Sequence, residues 1–191
     1  FYNRLSLCKN IDEFIISTTK DKKDNYFQNF AERNYLHIYR GSQNNIFARI
    51  KNSIEHMDEN FDIMIRCNAD NPLIMPDIID EDINFFKESN CDFFSPFHKN
   101  KIPFGYSFSI FKTKTFLKVS KMKLTKKYSE HVDNYFIENK TKFKVLSRYN
   151  KKFFCPNLFL TLDTKFDLTR IEYFAKKIEK IPIRNQPLKL I

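Results

Sequence analysis

Two aspartates in this chain stand where apolar runs give out. Asp70 lies in the stretch 61–74 (FDIMIRCNADNPLI), and Asp163 lies in the stretch 159–164 (FLTLDT). Residues 61–65 are apolar enough to read as a strand buried in a sheet. Pro72 cannot continue a ladder and drives Asn71 toward extended geometry, so the strand must end here. A carboxylate at the C-terminal edge of a sheet sits where open α/β folds bind their ligands. Magnesium takes hard oxygen ligands, usually one or two carboxylates, with waters and substrate phosphates in the remaining positions. Asp70 and Asp163 are therefore a candidate Mg2+ pair for a phosphate substrate. Read singly, each would serve as well as a turn or helix-cap aspartate.

The other polar candidates are weaker. Ser17 and Thr18 end the first visible strand and could bond a nucleobase or ribose, or could simply close a turn. Arg40, in Arg40-Gly41-Ser42, could meet phosphate or base, although Arg before a Gly turn is common. Arg66 lies four residues before Asp70, where its charge would neutralise phosphate or pair with a carboxylate. Glu130 and His131 read as part of a helix whose apolar stripe includes Tyr128, Val132, Tyr135 and Phe136. His131 is a candidate base there, with a structural role as the alternative. His37, His56 and His98 show no partner pattern, and no nucleophile turn of the G-x-S-x-G kind occurs.

The elements that must position these residues follow from periodicity. Strands are expected at 13–18, 36–39, 61–65, 91–96, 143–147 and 158–162. Residues 106–111 alternate in the manner of an exposed or antiparallel strand. Helices are expected over 23–34 (stripe Tyr26, Phe27, Phe30), 44–57 (Ile46, Phe47, Ile50, Ile54, Met57), from Pro76, over 113–121 and over 126–139. Thr164 with Asp167 three residues on forms a capping box for a last helix, whose apolar face is Leu168, Ile171, Phe174, Ala175 and Ile178. Alternation of strands and helices in the first half implies strand–helix–strand crossovers and a parallel sheet. We expect one domain over 1–180 and a peripheral tail over 181–191.

Bulk properties limit the function classes. The chain has 191 residues, 42% of them hydrophobic, enough for a real core. No run is long and apolar enough to span a membrane, and no signal-peptide pattern occurs. The four cysteines are widely spaced with no C-x-x-C pair, which suits reduced thiols in a cytoplasmic protein better than zinc or disulfides. The net charge of +10 comes from lysines spread along the whole chain. Single-strand binders need aromatics interleaved with cations on one face, so nucleic acid is not the expected partner. Only two glycines occur, and the first residue is Phe1. A phosphate-handling α/β enzyme usually carries a Gly-rich loop after its first strand, so the chain is expected to lack an N-terminal strand–loop–helix unit.

Taken in order, these fragments resemble the spore-coat polysaccharide family of cytidylyltransferases, relatives of the CMP-acylneuraminate and CMP-Kdo synthetases. The resemblance runs through 11–19, through Ile38–Ser42 with Ile46 and Arg49, and through Ile65–Ile74. It continues through Pro103-Phe104-Gly105, Glu130-His131-Val132 and Leu162-Asp163-Thr164, ending at Asp167-Leu168. It implies a Rossmann-like nucleotide-diphospho-sugar transferase fold: a mostly parallel sheet flanked by helices, with an antiparallel portion on the acceptor side. It implies Asp70 and Asp163 as magnesium ligands, Ser17, Thr18, Arg40 and Arg66 near the nucleotide, and Gly105, Glu130 and His131 on the acceptor side. Three departures stand out: Ala69 where the family has Gly, Asn45 where Asp is common, and Ser107 and Ser109 where acidic residues follow the P-x-G element.

The leading expectation is a cytoplasmic, Mg2+-dependent transfer of CMP from CTP to a sugar or sugar acid, for cell-surface glycan synthesis. A homodimer is compatible with it. The alternatives are a nucleotide-sugar-dependent glycosyltransferase of similar architecture and a non-catalytic remnant of the cytidylyltransferases. The glycosyltransferase would usually show a D-x-D pair at a strand end, whereas Asp80-Glu81-Asp82 falls in an expected helix.

Overall fold

A computed structural model describes residues 1–96, 103–148 and 158–178. Eight helices and six strands occur among them, in the order α1 (Tyr2–Leu5), β1 (Ile15–Thr19), α2 (Asn25–Arg33), β2 (His37–Gly41), α3 (Ile46–Glu55), β3 (Ile63–Cys67), α4 (Pro76–Ser89), β4 (Phe93–Phe94), β5 (Phe108–Lys112), α5 (Thr113–Ser120), α6 (Lys126–Glu130), α7 (Val132–Glu138), β6 (Val145–Leu146) and α8 (Lys165–Ile178). The architecture is the expected α/β one. β1 and β2 pair in parallel, Ile15 opposite His37 through Thr19 opposite Gly41. The other four strands form a sheet in the order β3-β5-β4-β6.

By contacts the chain divides into two compact units: residues 1–11, 65–110 and 146–191, and residues 12–64 and 111–145. In the first, Ile74, Ile79, Ile83, Phe86, Phe94 and Ile110 are almost wholly buried. In the second, Phe47 stacks on Phe116 at 4.5 Å, and Phe111 meets Phe116 and Phe136 edge-on. Each such buried side chain contributes roughly 1.5–3 kcal/mol. Pro76 opens α4 at its first turn, as its fixed φ suits, and Asn90 closes that helix in the left-handed conformation. No helix among the described residues is long and apolar enough to cross a membrane.

Several elements depart from the sequence reading. β3 is half-buried along its whole length because it lies at the edge of its sheet. Residues 108–111 are all buried, because β5 lies between β3 and β4; its serines mimic the polar side of an exposed strand without being one. The single helix expected over 126–139 is broken at His131, whose backbone (φ −111°, ψ 80°) is not helical. In an unbroken helix Lys127 and Glu138 would stand about 16 Å apart. Here Lys127 Nζ lies 2.6 Å from Glu138 Oε1, and the Tyr128 hydroxyl donates to Glu138 Oε2 at 3.0 Å, so α6 folds back beside α7. On α2 the buried residue is Ala31, while Tyr26 is exposed. On α8 Ile171 is buried, but Leu168 and Ala175 face solvent. Residues 158–162 make only an isolated parallel bridge, Phe159 to Phe104. The expected tail, His98 and Cys155 lie outside the described residues.

Candidate active site

Asp70 and Asp163 come together in the first unit. β3 ends at Cys67, and a turn closed by the Asn71 N–H on the Asn68 carbonyl (3.1 Å) presents Asp70 beyond the strand end. The Leu162 N–H donates to the Asp70 carbonyl oxygen at 2.8 Å, which sets Asp163 beside Asp70. Loss of solvent around the Asp70 carboxyl, and then the negative charge of Asp163, push it above the ordinary carboxylate range; the Arg66 cation opposes this. Both acids remain open to solvent.

Three features hold the acids in place. Asn71, 1% exposed, lies beneath them. In the orientation that satisfies its amide, its nitrogen donates to Asp70 Oδ1 and to the Gly105 carbonyl, each at 3.2 Å, and its oxygen faces Ser107. Gly105, at φ +91°, lets the 158–163 segment pass: a Cβ there would meet the Thr161 nitrogen at 2.4 Å. Asp167 accepts from the N–H groups of Asp163 (3.2 Å) and Thr164 (2.8 Å). Thr164 closes the expected capping box, with the Asp167 N–H donating to its Oγ1 at 3.2 Å. The hydrogen bonds from Thr164 hold Asp167 below the ordinary carboxylate range, and Arg170 Nη2 donates to Asp167 Oδ1 at 2.7 Å.

Two oxygen-donor carboxylates of like charge fit a divalent cation whose shell is otherwise water and phosphate. Among the described residues no group of three or more His, Cys, Asp or Glu side chains could hold a metal ion, so no all-protein cage competes with this pair. Burial pushes the Cys67 thiol up to about 12, so it stays protonated at neutral pH and offers no nucleophile.

Of the other expected site residues, Gly105 and Arg66 belong to this unit, and Ser17, Thr18, Arg40, Glu130 and His131 belong to the second. The polar side chains at the end of β1 are engaged within the chain. The Ser17 and Ser53 hydroxyls lie 2.8 Å apart. The Thr18 hydroxyl donates to Asp24 Oδ2 at 3.0 Å. Arg40 donates to the Thr19 carbonyl (2.9 Å), Asn25 Oδ1 (2.9 Å) and the Asp21 carbonyl (2.7 Å), tying down the turn between β1 and α2. Glu130 pairs with Lys126, and His131 is exposed at the helix break.

Two sets of residues have roles that the sequence does not reveal. Nothing local marks Asn71, next to Pro72, as buried. Asp80 and Asp82 in α4 are also buried. Asp80 accepts from the Lys9 and Asn10 N–H groups at 2.9 and 3.0 Å, and Asp82 accepts from Arg148 Nε at 2.6 Å. Both are spent on internal bonds, which removes them as the D-x-D pair of a glycosyltransferase. Of the departures from the family pattern, Asn45 caps α3 by accepting from the Ala48 N–H at 2.9 Å, and Ser109 is buried within β5, where an acid would lack solvent.

Residues 1–185 match the family described as Cytidylyltransferase. The chain is 30% identical over 165 residues to an uncharacterized protein of Methanocaldococcus jannaschii, covering 84% of this chain and 65% of that one. It is 23% identical over 176 residues to the spore coat polysaccharide biosynthesis protein SpsF of Bacillus subtilis, covering 91% and 71%. Among solved structures it is similar to a cytidylyltransferase from Leptospira borgpetersenii, with TM-score 0.86, 23% identity and coverage of 98% and 78%. It is also similar to a CMP:2-keto-3-deoxy-manno-octonic acid synthetase complexed with CTP, with TM-score 0.59, 11% identity and coverage of 92% and 85%. At these identities the solved structures speak to the fold, which is theirs. The family match spans nearly the whole sequence, and the protein belongs to the cytidylyltransferase family.

Proposed function

We propose that the protein transfers CMP from CTP to a sugar or sugar acid, using a magnesium ion held by Asp70 and Asp163. The observation that carries this reading is the Leu162–Asp70 backbone bond, which brings the segment carrying Asp163 alongside Asp70 from a distant part of the sequence. An acceptor hydroxyl attacks the α-phosphorus of CTP in line; the new O–P bond forms as the bond to the β-phosphate oxygen breaks, pyrophosphate leaves, and the hydroxyl proton passes to water. Bound magnesium supplies charge neutralisation on the phosphate oxygens. Asp70 and Asp163 bind that ion, Asn71 orients the Asp70 carboxylate, and Arg66 adds positive charge beside it. The likeness to the spore coat polysaccharide biosynthesis protein SpsF supports a role in polysaccharide biosynthesis.

Isothermal titration of the full-length protein with CTP, UTP and ATP, with and without Mg2+, tests the reading. Binding selective for CTP and dependent on Mg2+ is expected. Equal binding of all three nucleotides, or none, would sink it.

A further inference from the structure

Phe104 and Phe159 are large apolar side chains left half in solvent, at 52% and 54% exposure, and they touch each other with ring centroids 5.7 Å apart and planes tilted by 45°. The core does not require this. Their neighbours Leu160 and Tyr106 are 1% and 2% exposed and fill the interior at those positions. The two rings are locked together by backbone: the Phe104 N–H donates to the Leu158 carbonyl at 2.8 Å, and the Leu160 N–H donates to the Phe104 carbonyl at 2.6 Å.

The same register ties the rings to the acids. The N–H groups of Leu160 and Leu162, two residues apart, are both used in bonding, to Phe104 and to Asp70. That is the pattern of an extended segment, in which side chains 159, 161 and 163 share one face. Phe159 therefore stands on the face that carries Asp163, about 13 Å along the chain at ~3.3 Å per residue. Phe104 immediately precedes Gly105, whose carbonyl takes the amide that also holds Asp70.

We propose that the Phe104 and Phe159 rings are the platform on which the sugar ring of the acceptor lies, with its reacting end toward Asp70 and Asp163. The proposal rests on the cytidylyltransferase reading above and names the acceptor's seat within it. Aromatic rings offer apolar faces and a negative quadrupole to the C–H groups of a pyranose, while neighbouring carboxylates serve its polar end. The 45° tilt favours this occupant over the nucleobase. A flat base can lie parallel to only one of the two rings, whereas a chair presents C–H groups at differing angles and meets both.

The experiment is saturation-transfer NMR and titration on the full-length protein with CTP and Mg2+ present. The probes are 2-keto-3-deoxy-manno-octonic acid and a panel of unmodified hexoses and sialic acid, and the proteins are wild type, Phe104→Ala, Phe159→Ala and Phe159→Tyr. The expected result is a sugar affinity reduced about five- to tenfold in either alanine variant and restored in Phe159→Tyr. CTP affinity should stay within twofold and Tm within a few degrees of wild type. Unchanged sugar affinity, a matching loss of CTP affinity (which would give the rings to the base), or no sugar signal in wild type that binds CTP would each overturn the proposal. Failure of wild type to bind CTP at all would instead overturn the reading on which it rests.

Discussion

Two strand ends of this molecule carry polar residues of similar promise and treat them in opposite ways. After β1, the hydroxyls of Ser17 and Thr18 and every nitrogen of the Arg40 guanidinium that bonds do so to the protein itself, so the turn is stitched shut. Beyond β3, the bonds that fix Asp70 and Asp163 are made mainly through backbone: Leu162 to the Asp70 carbonyl, and Asp167 to the N–H groups of Asp163 and Thr164. Asn71 takes one oxygen of Asp70 and leaves the rest. The lesson is that a residue is available for chemistry when the chain is held by something other than its side chain. The Asp70 carboxyl is pushed up first by loss of solvent and then by the charge of Asp163, and both would be relieved by a bound cation.

This contrast can be broken by substitution. The largest effect is expected at the acids: Asp70→Asn or Asp163→Asn should lower kcat/KM by about 10³-fold, the several kcal/mol that charge neutralisation at a phosphoryl group supplies. Far-UV circular dichroism and Tm should be unchanged, because neither carboxylate is needed to close the backbone. A variant that unfolds would show that the acids are structural and the contrast false.

A buried acid in the same unit sharpens the point. Burial raises the Asp82 carboxyl to about 6, with the Arg148 hydrogen bond pulling the other way. The folded value lies above the unfolded one, so the contribution to stability is full below about pH 4 and is lost as pH rises through 6. A shift of about two units corresponds to roughly 3 kcal/mol. Urea unfolding of wild type between pH 4 and 7 should show that decline, and Asp82→Asn should flatten it; identical pH profiles would refute the assignment.

Next in size is Gly105→Ala. The positive φ and the 2.4 Å approach to the Thr161 nitrogen should cost about 2–3 kcal/mol, read as a lower urea midpoint. Activity should fall further than stability predicts, because the displaced segment carries Asp163. The smallest effect is expected at the stitched turn. Arg40→Ala should cost about 1–2 kcal/mol through its lost hydrogen bonds and leave CTP affinity unchanged by calorimetry. A fall in CTP affinity at unchanged Tm would return Arg40 to the nucleotide and erase the contrast.

Much of this was legible beforehand, for identifiable reasons. Pro76 marked the start of α4, and Thr164 with Asp167 the start of α8, because each acts through its own backbone or through neighbours three residues away, whereas β3 stops at Cys67, five residues before the proline expected to end it. The helix break at His131 was not legible, because the pair that accompanies it, Lys127 with Glu138, becomes adjacent only once the chain has folded back. The apolar character of 61–65 suggested burial, yet β3 lies at a sheet edge, and sheet order is set by pairing between distant strands. The roles of Asp80, Asp82 and Asn71 were hidden for the same reason: their partners Lys9, Arg148 and Gly105 are remote in sequence.

Sequence by itself determined the α/β class, the main element boundaries and the two aspartates proposed to hold the metal, since apolar periodicity, proline and capping are local causes. Only the tertiary structure decided that Asp70 and Asp163 meet while Ser17, Thr18 and Arg40 are spent on a turn. That decision depends on which hydrogen-bond partners the fold brings within about 3 Å, and residues ninety positions apart give no sign of it until the backbone between them is placed.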